Sequence, residues 1–335
     1  MTANPLRRLL LALTCATAGL LAACGSGSIV DPFTPTRVLS VGDSFSDLGQ
    51  DGKRYTVNDD TVNIWSQQAA INWGLPLVAS NKGGLSYARG DALVAGPTGN
   101  TIEAQVTELL SKNTLQKGDL VLVNGGVADV LTNVAAHGFS AQATANVEAA
   151  GAALGAQVLR LVNAGATHVL VGGLYPLGLS PMGISTGQST NFTNITLAFN
   201  NALKLSMVNL GANVLYLDSS QYFSNVYYNP TAYPPLDNSS TVACTTVLVT
   251  GCTPATITPG FDYNTLLYAS SVYFTPTAHR LLGNYAFNRV KDRWRTIGAT
   301  LAPRRLPRSD MKKADPRVGF FVGPKQAWAW GSQNL

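Results

Sequence analysis

The chain has 335 residues, 46% hydrophobic and only 12% charged. That balance excludes a disordered polyelectrolyte and allows a sizeable core. The formal net charge of +5 sits at the two ends: Arg7 and Arg8 near the front, and seven Lys/Arg against two Asp over 303–335, leave the intervening body at −2. A body with no basic excess excludes nucleic acid as the expected partner.

Residues 1–23 read as a targeting segment. Arg7 and Arg8 form a positive n-region, and Leu9 to Leu21 form an apolar h-region short for a membrane span. Leu21-Ala22-Ala23-Cys24 resembles a bacterial lipoprotein cleavage box. The resemblance implies that Cys24 becomes the first mature residue and carries lipid, which anchors the protein to a membrane. Gly25 is not an aspartate, so by the same analogy the expected location is the bacterial cell envelope, at the outer membrane. An ordinary secretory leader with a chance cysteine is the competing reading. Residues 24–36 follow as a tether rich in Gly, Ser and Pro.

Residues 37–298 form one domain's worth of chain. Apolar runs at 37–41, 119–124, 168–172 and 213–217, with a weaker one at 76–79, predict strands buried on both faces of a parallel sheet. Helical faces lie between them: Trp65, Ala69 and Trp73; Leu154, Val158, Leu161 and Val162 within 140–164; Ile195, Phe199, Leu203 and Met207. Gly165 and Gly211 fall where helix C-caps are expected. A last helix begins near Thr277, with Leu282, Ala286 and Val290 facing inward. This order predicts a doubly wound three-layer α/β/α sandwich with a mostly parallel, five-stranded, flavodoxin-like sheet. Reactive groups are then expected at the carboxyl ends of the strands.

Residues 219–270 show no clear period and read as a long excursion over the site. Cys244 and Cys252, close in sequence in an exported chain, read as a disulfide that holds it. Two cysteines without a nearby histidine cannot complete a zinc shell, so no metal is expected. The basic end, 299–335, reads as a solvated, poorly ordered tail.

Directly after the first strand comes Gly42-Asp43-Ser44-Phe45-Ser46-Asp47. A strand ending in glycine, acid and serine can present a hydroxyl at the sheet's carboxyl edge, although Asp and Ser there also suit a helix cap. The hexapeptide resembles the first signature block of the GDSL (SGNH) family of serine ester hydrolases. That resemblance covers roughly residues 36–298 and implies that Ser44 is the nucleophile, with its own N–H in the oxyanion hole. Ser86-Tyr87-Ala88-Arg89-Gly90-Asp91 resembles the second block and places Gly90 N–H in that hole.

The remaining blocks depart from the family. Gly126-Val127-Ala128-Asp129 has Ala128 where the family has the third oxyanion donor, an asparagine. Asn124 and Asn133 lie nearby without the family's spacing. In Ser270-Ser271-Val272-Tyr273-Phe274-Thr275-Pro276, Ser270 occupies the triad aspartate position and Tyr273 that of the catalytic histidine. A phenol with a reference pKa near 10 is a poor general base. Three histidines remain, His137, His168 and His279. His168 belongs at the wrong edge of the sheet, His137 in a loop after the third block is an alternative base, and His279, with Asp262 as its orienting acid, is the first candidate for a displaced base.

Two functions stay open. One is an exported esterase acting on carboxylic or lipid esters through Ser44, with a degraded or displaced triad and no cofactor. The other is a catalytically silent surface lipoprotein that binds an acyl or glycan ligand in the same cleft. The chain is taken as a monomer.

Overall fold

The computed structural model describes residues 33–294 apart from Thr98. The leader, Cys24, the 25–32 stretch of the tether and the 299–335 tail lie outside the described residues.

Four parallel strands form the main sheet: β1 (Arg37–Val41), β2 (Asp119–Asn124), β3 (Val169–Gly172) and β4 (Val214–Leu217), in spatial order β1-β2-β3-β4. Their register pairs Val41 with Val123, Asn124 with Gly172 and Gly172 with Leu217. Strand β2 is buried along its whole length. This is why its sequence is a continuous apolar run rather than an alternating one.

The weak strand expected at 76–79 is not a ladder strand. It shrinks to one isolated bridge, Ala79 with Ser86, and Ser86 in turn bridges Ser40. Ser40 N–H donates to Leu85 O at 3.0 Å and Tyr87 N–H donates to Ser40 O at 2.7 Å. Residues 85–87 therefore run beside β1 on the flank away from β2, in the place of a fifth strand. The chain then continues past the end of β1, with Arg89 N–H on Gly42 O at 3.1 Å.

Helices cover both faces of the sheet. α2 (Ile102–Lys112), α3 (Val127–His137), α4 (Ala141–Asn163) and α6 (Ser189–Ser206) pack as one group, α4 lying along α6. α1 (Trp65–Ile71) packs against α8 (Pro276–Arg293). α5 is the short turn Pro181–Ser185. The helix starts are legible in the sequence. Thr101, Ser140 and Thr275 each accept a backbone N–H from the residue three on, and Pro276 opens α8 where its missing N–H costs nothing. Trp65 and Ala69, and Leu154, Val158 and Leu161, are buried as their spacing predicts.

The 219–270 excursion contains more regular structure than its composition predicts. It holds α7 (Ser219–Tyr228) and a short strand β5 (Asn238–Val242) that pairs in parallel with β6 (Leu266–Tyr268). Cys244 and Cys252 are bonded, with Cα atoms 5.7 Å apart. They form a small cluster with Val57, Val249 and Ala269, and Tyr55 and Tyr273 pack against it.

Candidate active site

Ser44 lies three residues past β1, at the carboxyl edge of the sheet. Gly42 sets the exit. Gln105 clamps its backbone, accepting from Gly42 N–H at 2.8 Å and donating to Gly42 O at 2.9 Å. A Cβ at Gly42 would stand 2.1 Å from Asn124 Oδ1, so only glycine fits there.

The acids of the hexapeptide are structural ties. Asp43 is fully buried and accepts from Asn124 Nδ2 at 2.6 Å, Phe45 N–H at 3.0 Å and Val127 N–H at 3.2 Å. Burial raises its pKa against the pull of those bonds. Asn124, at the end of β2, also accepts from Ser46 Oγ, which in turn accepts from Trp65 Nε1 at 2.9 Å. Asp47 accepts from Gly49 and Gln50 N–H at 2.9 Å each.

Asp47 also takes the Gly90 N–H, at 2.8 Å. The oxyanion role expected of Gly90 is therefore not available in this arrangement: its donor is already committed. What requires glycine is Tyr55, whose ring would lie 2.2 Å from a Cβ at position 90. Among the described residues no acceptor takes the Ser44 N–H, so that half of the expected hole is free.

Ser44 is 3% exposed, and its hydroxyl has three partners. It accepts from Asp91 N–H at 2.8 Å, donates to Asp91 Oδ1 at 3.2 Å and lies 3.4 Å from the Tyr273 hydroxyl. The other Asp91 oxygen accepts from the Tyr55 hydroxyl at 2.8 Å. Asp91 holds φ at +53°, the sole non-glycine residue with positive φ among those described. Aspartate is one of the few residues that tolerate it.

Tyr273 thus reaches Ser44, as its position in the motif requires, and arrives as a donor. Burial drives its pKa well above the ordinary phenol value, so at neutral pH it keeps its proton and cannot act as the base. Burial also raises Tyr55, with its bond to Asp91 adding to the effect. Ser270 sits in the turn before Tyr273, its N–H on Tyr273 O at 3.2 Å, and orients no imidazole. Ala128 lies in the first turn of α3 with no side-chain donor.

The displaced-base expectation for His279 is not met. The ring is 1% exposed, packed against Phe45 and Phe274, and its Nδ1 accepts from Trp65 N–H at 3.4 Å. Nε2 is buried without a partner. Burial, with Arg54 adding to it, pulls its pKa down to about 3. The carboxyl of Asp262 instead caps its own loop, accepting from Asn264. His168 precedes β3 and stacks on Phe33 at 3.5 Å, at the opposite edge of the sheet. His137 is exposed at the end of α3.

Asp129, in the family's third block, takes Val94 N–H at 3.1 Å and is pushed up to about 7 by burial. An apolar cavity lined by Phe45, Trp65, Asn124, Tyr175, Phe223 and Phe274 lies at the ends of β2 to β4, and Ser44 does not line it. Among the described residues no cluster of His, Cys, Asp or Glu could hold a metal ion.

The family model of the GDSL-like lipases/acylhydrolases matches residues 38–283. The chain belongs to this GDSL family. Its members are hydrolases of lipase and esterase type, and the α/β fold with its parallel sheet is theirs. A crystal structure of a lipolytic G-D-S-L family protein from Veillonella parvula DSM 2008 is similar at 10% identity and a TM-score of 0.40, over 75% of this chain and 96% of that one. No curated protein sequence matches. Within the GDSL frame, two residues that sequence reasoning passed over touch the nucleophile's network: Asp91 and Tyr55. Asp91 had a signal, its place directly after Gly90. Tyr55 had none.

Proposed function

We propose that the chain is an exported serine ester hydrolase acting on carboxylic or lipid esters, with Ser44 as nucleophile and without the family's Ser-His-Asp triad. One observation carries the reading. Ser44 stands at the carboxyl edge of β1 with its hydroxyl hydrogen-bonded to a carboxylate and its own N–H free of protein acceptors. A hydroxyl so placed can attack an acyl carbonyl while the N–H faces the developing oxyanion. The leader and the Leu21-Ala22-Ala23-Cys24 box support export and lipid attachment at Cys24, in the bacterial envelope at the outer membrane.

The test is direct. The protein is incubated with a fluorophosphonate probe and with short-chain nitrophenyl esters, with Ser44→Ala as control. Labelling and turnover that need Ser44 support the reading; neither above the control sinks it. Incorporation of labelled palmitate that Cys24→Ala abolishes tests the anchor.

The engagement of Gly90 N–H by Asp47 favours a second reading. With that donor used and Ala128 offering none, the cleft would bind an acyl or glycan ligand without turning it over. Ligand binding by a protein that never labels would decide for it.

A further inference from the structure

We propose that Asp91 is the direct proton acceptor for Ser44, doing in a two-residue arrangement what a histidine does in the family's triad. This rests on the reading of Ser44 as nucleophile. Asp91 holds the serine from two sides: its N–H donates to Oγ at 2.8 Å, and its Oδ1 accepts the Oγ proton at 3.2 Å. The two contacts fix both the position of Oγ and the direction of its O–H. They depend on the turn at Asp91, where φ is +53°. That turn is anchored by Gly90 N–H on Asp47 and by Asn100 Nδ2 on Gly90 O at 2.8 Å. Tyr55 fixes the second carboxylate oxygen at 2.8 Å and is itself a positioning residue. A residue with unusual backbone geometry, held by surrounding bonds against the nucleophile, is where functional strain is found.

The step balances. Oγ forms a bond to the ester carbonyl carbon as its proton passes to Asp91 Oδ1, and the carbonyl π pair moves to oxygen. Collapse breaks the ester C–O bond, and the departing alkoxide takes the proton from Asp91 as alcohol. Water then attacks the acyl carbon and gives its proton to Asp91. Collapse breaks the acyl–Oγ bond, and Ser44 recovers the proton. The net reaction is ester plus water to acid plus alcohol.

The titratable groups around this carboxylate are Tyr55 and Tyr273, with Asp43 and Asp47 beyond them. None is a histidine.

The experiment uses the full chain and compares wild type with Asp91→Asn and Tyr55→Phe. Asparagine tolerates the positive φ and keeps the N–H, so it removes the base and little else. Labelling rate and nitrophenyl ester kcat/KM are measured from about pH 4.5 to 8. Expected is a fall of about 10²-fold or more in Asp91→Asn. Tyr55→Phe should lower kcat by about threefold to tenfold with KM unchanged. An Asp91→Asn rate within about threefold of wild type overturns the role of Asp91 while Ser44 labelling leaves the serine reading standing. Absence of wild-type labelling removes both. If Asp91→Asn does not fold, Tyr55→Phe decides, and a kcat within about twofold of wild type overturns the role of Asp91.

Discussion

The Tyr273 hydroxyl stands 3.4 Å from Ser44 Oγ, on the residue that the resemblance sets in the place of the family's catalytic histidine. Tyr273 meets the nucleophile as a proton donor. Burial fixes that sense, because a buried phenol holds its proton.

Two variants of Tyr273 separate contact from chemistry. Tyr273→Phe keeps the ring packed against Phe45 and Tyr55 and loses the bond to Ser44. Its expected cost is about 1 kcal/mol in urea unfolding and a severalfold fall in esterase kcat. Tyr273→His with Ser270→Asp and Ala128→Asn rebuilds the family's acid, base and third oxyanion donor. Esterase activity should rise, by about 10²-fold or more for the oxyanion donor alone. A folded triple variant no more active than wild type would show that these three positions do not face the reacting carbonyl.

His279 should matter for stability and not for turnover. Its folded pKa of about 3 lies below the free value of about 6.5. The unfolded chain therefore binds the proton first, and the stability present above about pH 6.5 is lost as the pH falls towards 3. His279→Phe should flatten that loss, worth on the order of a few kcal/mol, and leave ester kcat within about twofold. Urea midpoints at several pH values read the first effect. A loss of activity of about 10³-fold in a folded variant would restore His279 as the base.

Asp129 acts in the opposite direction. Its folded pKa of about 7 lies above the free value of about 3.9. The folded state holds the proton longer, so Asp129 lowers stability as pH rises from about 4 to about 7. Asp129→Asn keeps an acceptor for Val94 N–H and removes the charge. At pH 8 it should raise the urea midpoint, by on the order of 1–2 kcal/mol in unfolding free energy, with little change at pH 4. A midpoint lowered equally at both pH values would contradict the buried-charge account.

The disulfide closes a separation of 8 residues. Cys244→Ser with Cys252→Ser should cost about 2–3 kcal/mol on the loop-entropy estimate. The pair packs in the cluster that supports Tyr55 and Tyr273, so the double variant should also lower ester turnover. Chemical denaturation and the nitrophenyl assay are the two readouts, and a stability loss with unchanged turnover would uncouple the loop from the site.

Much of the fold was open to the sequence. The runs 37–41, 119–124, 168–172 and 213–217 are mostly apolar because both faces of the sheet are covered, and that pattern survives in one dimension. The 76–79 run failed because its pairing is a few bridges around Ser86, too short for any periodicity. The helix and strand within 219–270 were hidden because polar residues fill them and distant contacts, not local preference, hold them.

At the site, adjacency in sequence and adjacency in space part company. The Gly-Asp-Ser turn after β1 and the residues at 128, 270 and 273, none of them Asn, Asp or His, follow from residue identity alone, since they concern which atoms exist. Whether Gly90 N–H is free, whether His279 reaches Ser44, and which group receives the serine's hydrogen bond are questions of direction. Residues 85–87 running beside β1 bring Asp91 to Ser44, 47 positions away, while α8 turns His279 towards Trp65. Hydrogen bonds lose their strength within a few tenths of an ångström and a few tens of degrees. Only the packed chain sets those.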